Sequence, residues 1–222
     1  MNPVQSEVES HRLIAGVLCL DFANTLNGHK LPAAGHEYLK DYSDLAAWCR
    51  RTAALTADEA DLLLKEAALH PKKAAAAYRQ AIDLRETLYR LFAALALGQR
   101  AAAADLARLN QARSEALEHS QIAPAAEGYR LEMSGRHNLQ RMLWPLALSA
   151  ADLLTSAKAG QIRQCAGQGC DWLFVDTSRN HLRRWCSMDE CGNRSKSRRF
   201  SEHSRKQIAA AEEAPDTDAA LS

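Results

Sequence analysis

Apolar residues recur along most of this chain at intervals of three and four, the period of amphipathic helices. Residues 72–98 show it best. Leu84, Leu88, Leu91 and Leu95 form one stripe, and Tyr78, Ile82, Tyr89 and Phe92 form a second. A helix apolar on two sides predicts a central element with neighbours on both flanks, ended by Gly98. Before it, Ser43 is expected to cap a helix over DLAAWCRRTAA, with Leu45, Trp48 and Cys49 inward. Thr56 and Glu59 form a capping box that starts a helix running to about Leu69, and Pro71 separates that helix from the next. A fifth helix is predicted over 102–118, with Leu106, Leu109 and Leu117 inward. The segment 120–136 loses the period. Ile122–Glu127 and Tyr129–Met133 alternate enough to predict a short β-hairpin turning near Glu127-Gly128. A last helix of this part spans 138–158, kinked by Pro145 and ended by Gly160 as its C′ residue.

The first 30 residues are less decided. Val17, Leu18, Phe22 and Leu26 fit one face of a helix, while a strand through Val17–Phe22 competes. Residues 27–42 read as a loop, with His29 and His36 facing solvent. Beyond Gly160 the pattern changes character. Trp172–Val175 reads as a short strand, 176–180 as a turn, and the chain from Asn193 as a helix. The tail 209–222 has four acids and no bases, which predicts disorder. The expected organisation is a helical domain over 1–160, a small module over 161–208 and an acidic tail over 209–222.

That small module carries the chemistry. Cys165/Cys170 and Cys186/Cys191 form two pairs, each with four residues inside the pair and fifteen between the pairs. Thiolates suit zinc, and four of them leave no open position for water, so the spacing predicts one structural Zn²⁺. Two disulfides, or four unrelated buried thiols, are the alternatives. A chain of this length does not need disulfides to hold a core. Gly167, Gly169 and Gly192 supply bends beside the ligands. Cys19 and Cys49 lie singly in apolar surroundings and read as small buried hydrophobes.

Charge is distributed unevenly. Residues 161–206 hold ten Lys and Arg against five Asp and Glu, while the rest of the chain holds eighteen against twenty-two. Four thiolates on one Zn²⁺ would reduce the module's excess to about +3. A basic module on a mildly acidic domain predicts a polyanion partner. Arg179, Arg183, Arg184, Asn193, Arg194, Lys196, Arg198 and Arg199 are the candidate contacts, since arginine pairs bidentately with phosphate. Arg183, Arg184 and Arg194 lie beside the ligands and could serve the metal site instead. Trp172, Phe174 and Trp185 could stack bases, but they are more economically read as the module's core. No phosphate-binding glycine loop, paired histidines on one helix face or nucleophile elbow is present, so no enzyme is expected. No apolar run reaches the roughly 18–20 residues of a membrane span. The first ten residues carry two glutamates and no basic cluster. The sequence therefore predicts a soluble, cytoplasmic protein.

The run WLFVDTSRNHLRRWCSMDECGNRSKSRR resembles the CGNR zinc finger, named for the tetrapeptide found here as Cys191-Gly192-Asn193-Arg194. GVLCLDFANT resembles the start of the ABATE domain that accompanies that finger. The resemblance implies a mainly α protein with a C-terminal finger of treble-clef or zinc-ribbon type, and zinc on Cys165, Cys170, Cys186 and Cys191. It also implies nucleic-acid binding, by a stress-induced transcription regulator or a zinc-ribbon-like RNA-binding protein; a finger used only for protein interaction and a helical domain that is an unrecognised enzyme are the rivals. DNA is expected ahead of RNA. The helical domain would then sense a small-molecule effector or mediate homodimerisation. Asp21, Asn24 and Thr25 are the polar members of the ABATE stretch. They are candidates either for a ligand pocket or for satisfying backbone groups where the first helix ends.

Overall fold

A computed structural model describes residues 7–29 and 35–212. A short helix α1 (Glu7–Ser10) leads into α2 (Leu18–Ala23). Its sequence LCLDFA buries five of six side chains, Cys19 to Ala23. The helix expected to reach Leu26 stops at Ala23, and the competing strand does not form there. Instead β1 (Leu26–Asn27) pairs antiparallel with β2 (His36–Glu37). α3 (Tyr42–Arg51) is capped by Asp41, not by Ser43. The Asp41 carboxylate accepts from the amides of Ser43 and Asp44 and from the Ser43 hydroxyl. A carboxylate two residues upstream outcompetes the hydroxyl because it takes several orphan donors at once. α4 (Ala57–Leu69) begins at Thr56 with the expected capping box.

α5 (Pro71–Ala96) starts with proline in its first turn, where the missing N–H has no partner to lose. It is the central helix, packed by α2, α3 and α4. Ala74, Ala77, Ala81, Leu84, Leu88, Leu91 and Phe92 are buried on it, while Tyr78 and Ile82 are half-buried. Gly98, at φ 69°, takes the left-handed turn that follows. α6 (Ala103–Glu118) packs against α5 and turns Leu109 and Ala116 inward, leaving Leu117 44% exposed. The hairpin β3 (Ser120–Pro124) and β4 (Tyr129–Met133) pairs Ile122 with Leu131.

α7 covers Leu143–Thr155, shorter than expected at both ends. Pro145 lies in its first turn, where no ladder bond is lost, so it starts the helix and does not kink it. Buried Arg141 keeps the preceding residues out of the helix by donating to the carbonyls of Met133 and Ser134 and pairing with Glu59. At the other end Ser156 adopts an extended conformation and its hydroxyl accepts from the Lys158 amide. Gly160 is therefore inside a 3₁₀ turn (Ala157–Gln161) and is not the cap. His29 is also not solvent-facing. Its ring stacks on Tyr89 at 3.5 Å, and its nitrogens reach Glu86 and the Ala23 carbonyl.

The expected boundary at residue 160 falls just before β5 (Ile162–Gln164), which pairs antiparallel with β6 (Leu173–Val175). Ile162, Leu173 and Val175 belong to the same apolar core as α2, α5 and α7. Chain direction then leads through a π-turn (Met188–Gly192) into α8 (Asn193–Glu212). Residues 209–212 thus continue α8, and the rest of the expected acidic tail lies outside the described residues. No helix among the described residues is long and apolar enough to cross a membrane.

Candidate metal centre and basic helix

β5 and β6 form a hairpin whose tip is the first cysteine pair. The Cys165 amide donates to the Trp172 carbonyl at 2.8 Å, closing the loop that holds Cys165 and Cys170. In the second pair Cys186 precedes the π-turn and Cys191 lies within it, one residue ahead of Gly192 at the root of α8. The Ala166 amide donates to the Arg184 carbonyl, joining the two knuckles. All four sulfurs lie within 4.8 Å of one another. Tetrahedral zinc with Zn–S bonds of about 2.3 Å requires sulfurs about 3.8 Å apart. Cys170 and Cys186 are 3.7 Å apart at Sγ, and Cys186 and Cys191 are 3.6 Å apart. A disulfide would need about 2.05 Å, and all four thiols are free. The donor set and its spacing fit one Zn²⁺, with no site left for a reacting water.

The surroundings favour thiolate. The amides of Gly167 and Cys186 both donate to the Cys165 sulfur at 3.3 Å. Arg194 reaches the Cys191 sulfur at 3.5 Å. Gly167 is required by space: a Cβ there would lie 3.1 Å from both Cβ and Sγ of Cys191. At Gly169 the requirement is conformational, with φ 71°. A Cβ at Gly192 would meet only the flexible, exposed Met188 side chain, which can move aside.

The basic residues separate into two groups. Arg183 donates to the carbonyls of Trp185 and Cys186 and lies over the Phe174 ring, 4.4 Å from its centroid. Arg194 is bound to a ligand sulfur. These two serve the metal site. Arg184 covers Trp185 and stays exposed, as does Arg179. Asn193 caps the π-turn by donating to the Asp189 carbonyl. Lys196, Arg198 and Arg199 project from α8 into solvent, and among the described residues Arg198 pairs with Glu202 one turn on. Trp172 and Phe174 are buried with the cysteines and form the module's core, while Trp185 is half-buried at its edge.

Asp21, Asn24 and Thr25 are drawn together with the module. Asn24 makes two bonds to one residue of β6: its amide donates to the Leu173 carbonyl and its oxygen accepts from the Leu173 amide, both at 2.8 Å. Asp21 accepts from the Ala15 amide, and the Ala15 carbonyl accepts from the Val175 amide. The Thr25 hydroxyl donates to the Phe22 carbonyl and accepts from Arg85. All three side chains are occupied by protein groups: Asn24 braces the seam between domain and finger directly, Asp21 supports it through Ala15, and Thr25 bonds within the helical domain. Asn24 and Leu173 are 149 residues apart, so neither a ligand pocket nor helix-end capping, the two roles suggested by local sequence, pointed to this pairing. Gly28 and Tyr89 add bonds to Asp171 across the same seam, and the Gln164 amide donates to the Tyr89 hydroxyl.

With this geometry in place, comparison with known families places residues 16–157 in ABATE, described as "Putative stress-induced transcription regulator". The chain belongs to the ABATE family. Residues 161–204 match the CGNR zinc finger, in the order the two sequence stretches indicated. No curated protein matches the chain. In this ABATE chain the finger is continuous with the helical core through β5 and β6.

Proposed function

We propose that this ABATE protein is a zinc-dependent nucleic-acid-binding protein that reads duplex DNA with α8 as a transcription regulator. One observation carries the reading. From Asn193 to Arg205 no residue of α8 is buried, although its first turn is rooted at the metal centre. A helix polar on all sides has no core to pack against, and its cationic side chains are free for a partner. Twenty residues make a rod of about 30 Å, and an α-helix fits the major groove of B-DNA. Lys196, Arg198, Arg199 and Arg205 would neutralise phosphates, and Asn193 would meet the backbone at the helix start. The metal fixes the direction of the rod and does no chemistry, so the role is binding and not catalysis. Four metal-binding thiols suit a reducing, cytoplasmic setting. The helical domain supplies the regulatory input, through an effector or a second copy.

An RNA or single-strand reading has its own support in Phe200, 75% exposed among the cations of α8, where a base could stack. Fluorescence anisotropy of the zinc-loaded chain against labelled duplex DNA and single-stranded RNA, over a salt series, tests both. Binding should weaken steeply with salt, and Arg198→Ala/Arg199→Ala should reduce the logarithmic salt slope by about 2. A Phe200→Ala loss confined to single strands would favour RNA. No binding to either polymer at low salt would end the nucleic-acid reading.

A further inference from the structure

Beside the metal centre, on the side facing the helical domain, lies a cavity of about 140 Å³. Asn27, Tyr38 and Trp172 line it together with Cys170, Cys186 and Cys191; Cys165 does not. Two of its walls carry buried polar atoms with no hydrogen-bond partner among the described residues, the Asn27 Oδ1 and the Trp172 Nε1. Trp172 is only 6% exposed. Leaving such groups unpaired costs stability, so a polar molecule that pairs with them is favoured in this space. It must donate to the Asn27 oxygen and accept from the indole N–H. It must also be small, and the rest of the wall includes the three cysteine ligands and the charged side chains of Arg12, Glu190 and Arg194.

We infer that this cavity admits hydrogen peroxide and small hydroperoxides to the metal-binding thiolates, making the centre a site of oxidative modification. A hydroperoxide both donates and accepts, which matches the two unpaired groups. Cys170 is the target, being the one ligand of the four that is not fully buried. Its thiolate attacks one peroxide oxygen; the S–O bond forms, the O–O bond breaks and hydroxide leaves, giving a sulfenic acid. The Cys186 thiolate, 3.7 Å away at Sγ, then attacks the Cys170 sulfur. The S–S bond forms, the S–O bond breaks and a second hydroxide leaves. Two thiolates have lost two electrons and one peroxide has become two hydroxides. Only Cys165 and Cys191 would then remain to hold Zn²⁺, so the ion would no longer be retained and α8 would lose the anchor at its first turn. This chemistry stands on the centre and its cavity, independently of what α8 binds.

The test uses the zinc-loaded full chain, with metal release followed by a chromogenic chelator and thiol pairing mapped by mass spectrometry. Hydrogen peroxide should release one Zn²⁺ per chain and give the Cys170–Cys186 disulfide first. Cumene hydroperoxide, too bulky for the cavity, should act far more slowly. Trp172→Phe keeps the ring and removes the donor, and should slow release by hydrogen peroxide about five- to tenfold. If that variant does not fold, Asn27→Ala carries the same test from the other wall. Equal rates for the two peroxides, unchanged rates in the folded variant, a first disulfide through Cys165, or zinc retained under peroxide would each overturn the assignment.

Discussion

β6 buries three consecutive side chains, with Leu173 and Phe174 at 0% and Val175 at 3% exposure, whereas α8 buries none between Asn193 and Arg205. Both belong to one zinc module. The first cysteine pair hangs from a hairpin that the helical core holds by packing and by Asn24. The second knuckle reaches the domain through Arg12, which pairs with Glu190 and donates to the Ser187 hydroxyl, and the helix beyond it is expected to depend chiefly on the metal. A finger of this kind is half an extension of its parent domain and half a projecting arm. The metal joins the two halves, and that division sets what each perturbation should do.

Removing zinc should have the largest effect, because structural zinc contributes about 10–16 kcal/mol in isolated finger peptides. Chelation, or Cys186→Ser, should melt α8 while β5 and β6 stay with the core. Circular dichroism should show helix loss on the scale of one 20-residue helix, with a cooperative unfolding transition remaining at lower temperature. Unchanged helicity after chelation would mean that α8 does not depend on the metal.

Asn24→Ala attacks the other half. It strands a buried N–H and a buried C=O of Leu173, at about 1–3 kcal/mol each. Urea unfolding should therefore show a loss of about 2–5 kcal/mol, with zinc content still one per chain. A loss below about 0.5 kcal/mol would mean that the seam is held by apolar packing alone.

The pH dependence sharpens the same seam. Burial pushes the Asp21 carboxyl up to about 6 and pulls the His11 imidazole down to about 4. Asp21, raised in the fold, contributes stability that is full below about pH 4 and lost as pH rises through 6. His11, depressed in the fold, contributes stability that is full above about pH 6.5 and lost as pH falls through 4. The two oppose each other over one window. Asp21→Asn keeps an acceptor for the Ala15 amide and removes one side of the balance. Its stability should climb between pH 4 and 6.5 by on the order of 1–2 kcal/mol more than that of the parent chain. Parallel profiles would show that Asp21 does not titrate in the fold as its burial requires.

Smallest of all should be the stability change for Arg198→Ala/Arg199→Ala. Both side chains are exposed and Arg198 makes only a surface pair, so the change should stay within about 0.5 kcal/mol. A larger loss would place these arginines in the structure of the arm and not on its partner.

Sequence by itself determined what depends on near neighbours. Thr56 and Glu59 close a capping box across three residues, Pro71 suits a helix's first turn because its missing N–H has no partner there to lose, and the leucine stripes of α5 follow from 3.6 residues per turn. The cysteine frame also belongs here, because two short knuckles of fixed length match the spacing of a four-thiolate zinc site. Tertiary structure decided the rest. Pro145 begins α7 because Arg141 holds the residues before it through Glu59, some 80 positions away. The basic residues of the finger are alike in sequence, yet the fold gives Arg183 to two carbonyls and a ring and leaves Arg199 in water. Asn24 looks like a helix-end residue until β6 is laid beside it. In each case the deciding partner is far along the chain, and a hydrogen bond depends on distance in space and not on separation in sequence.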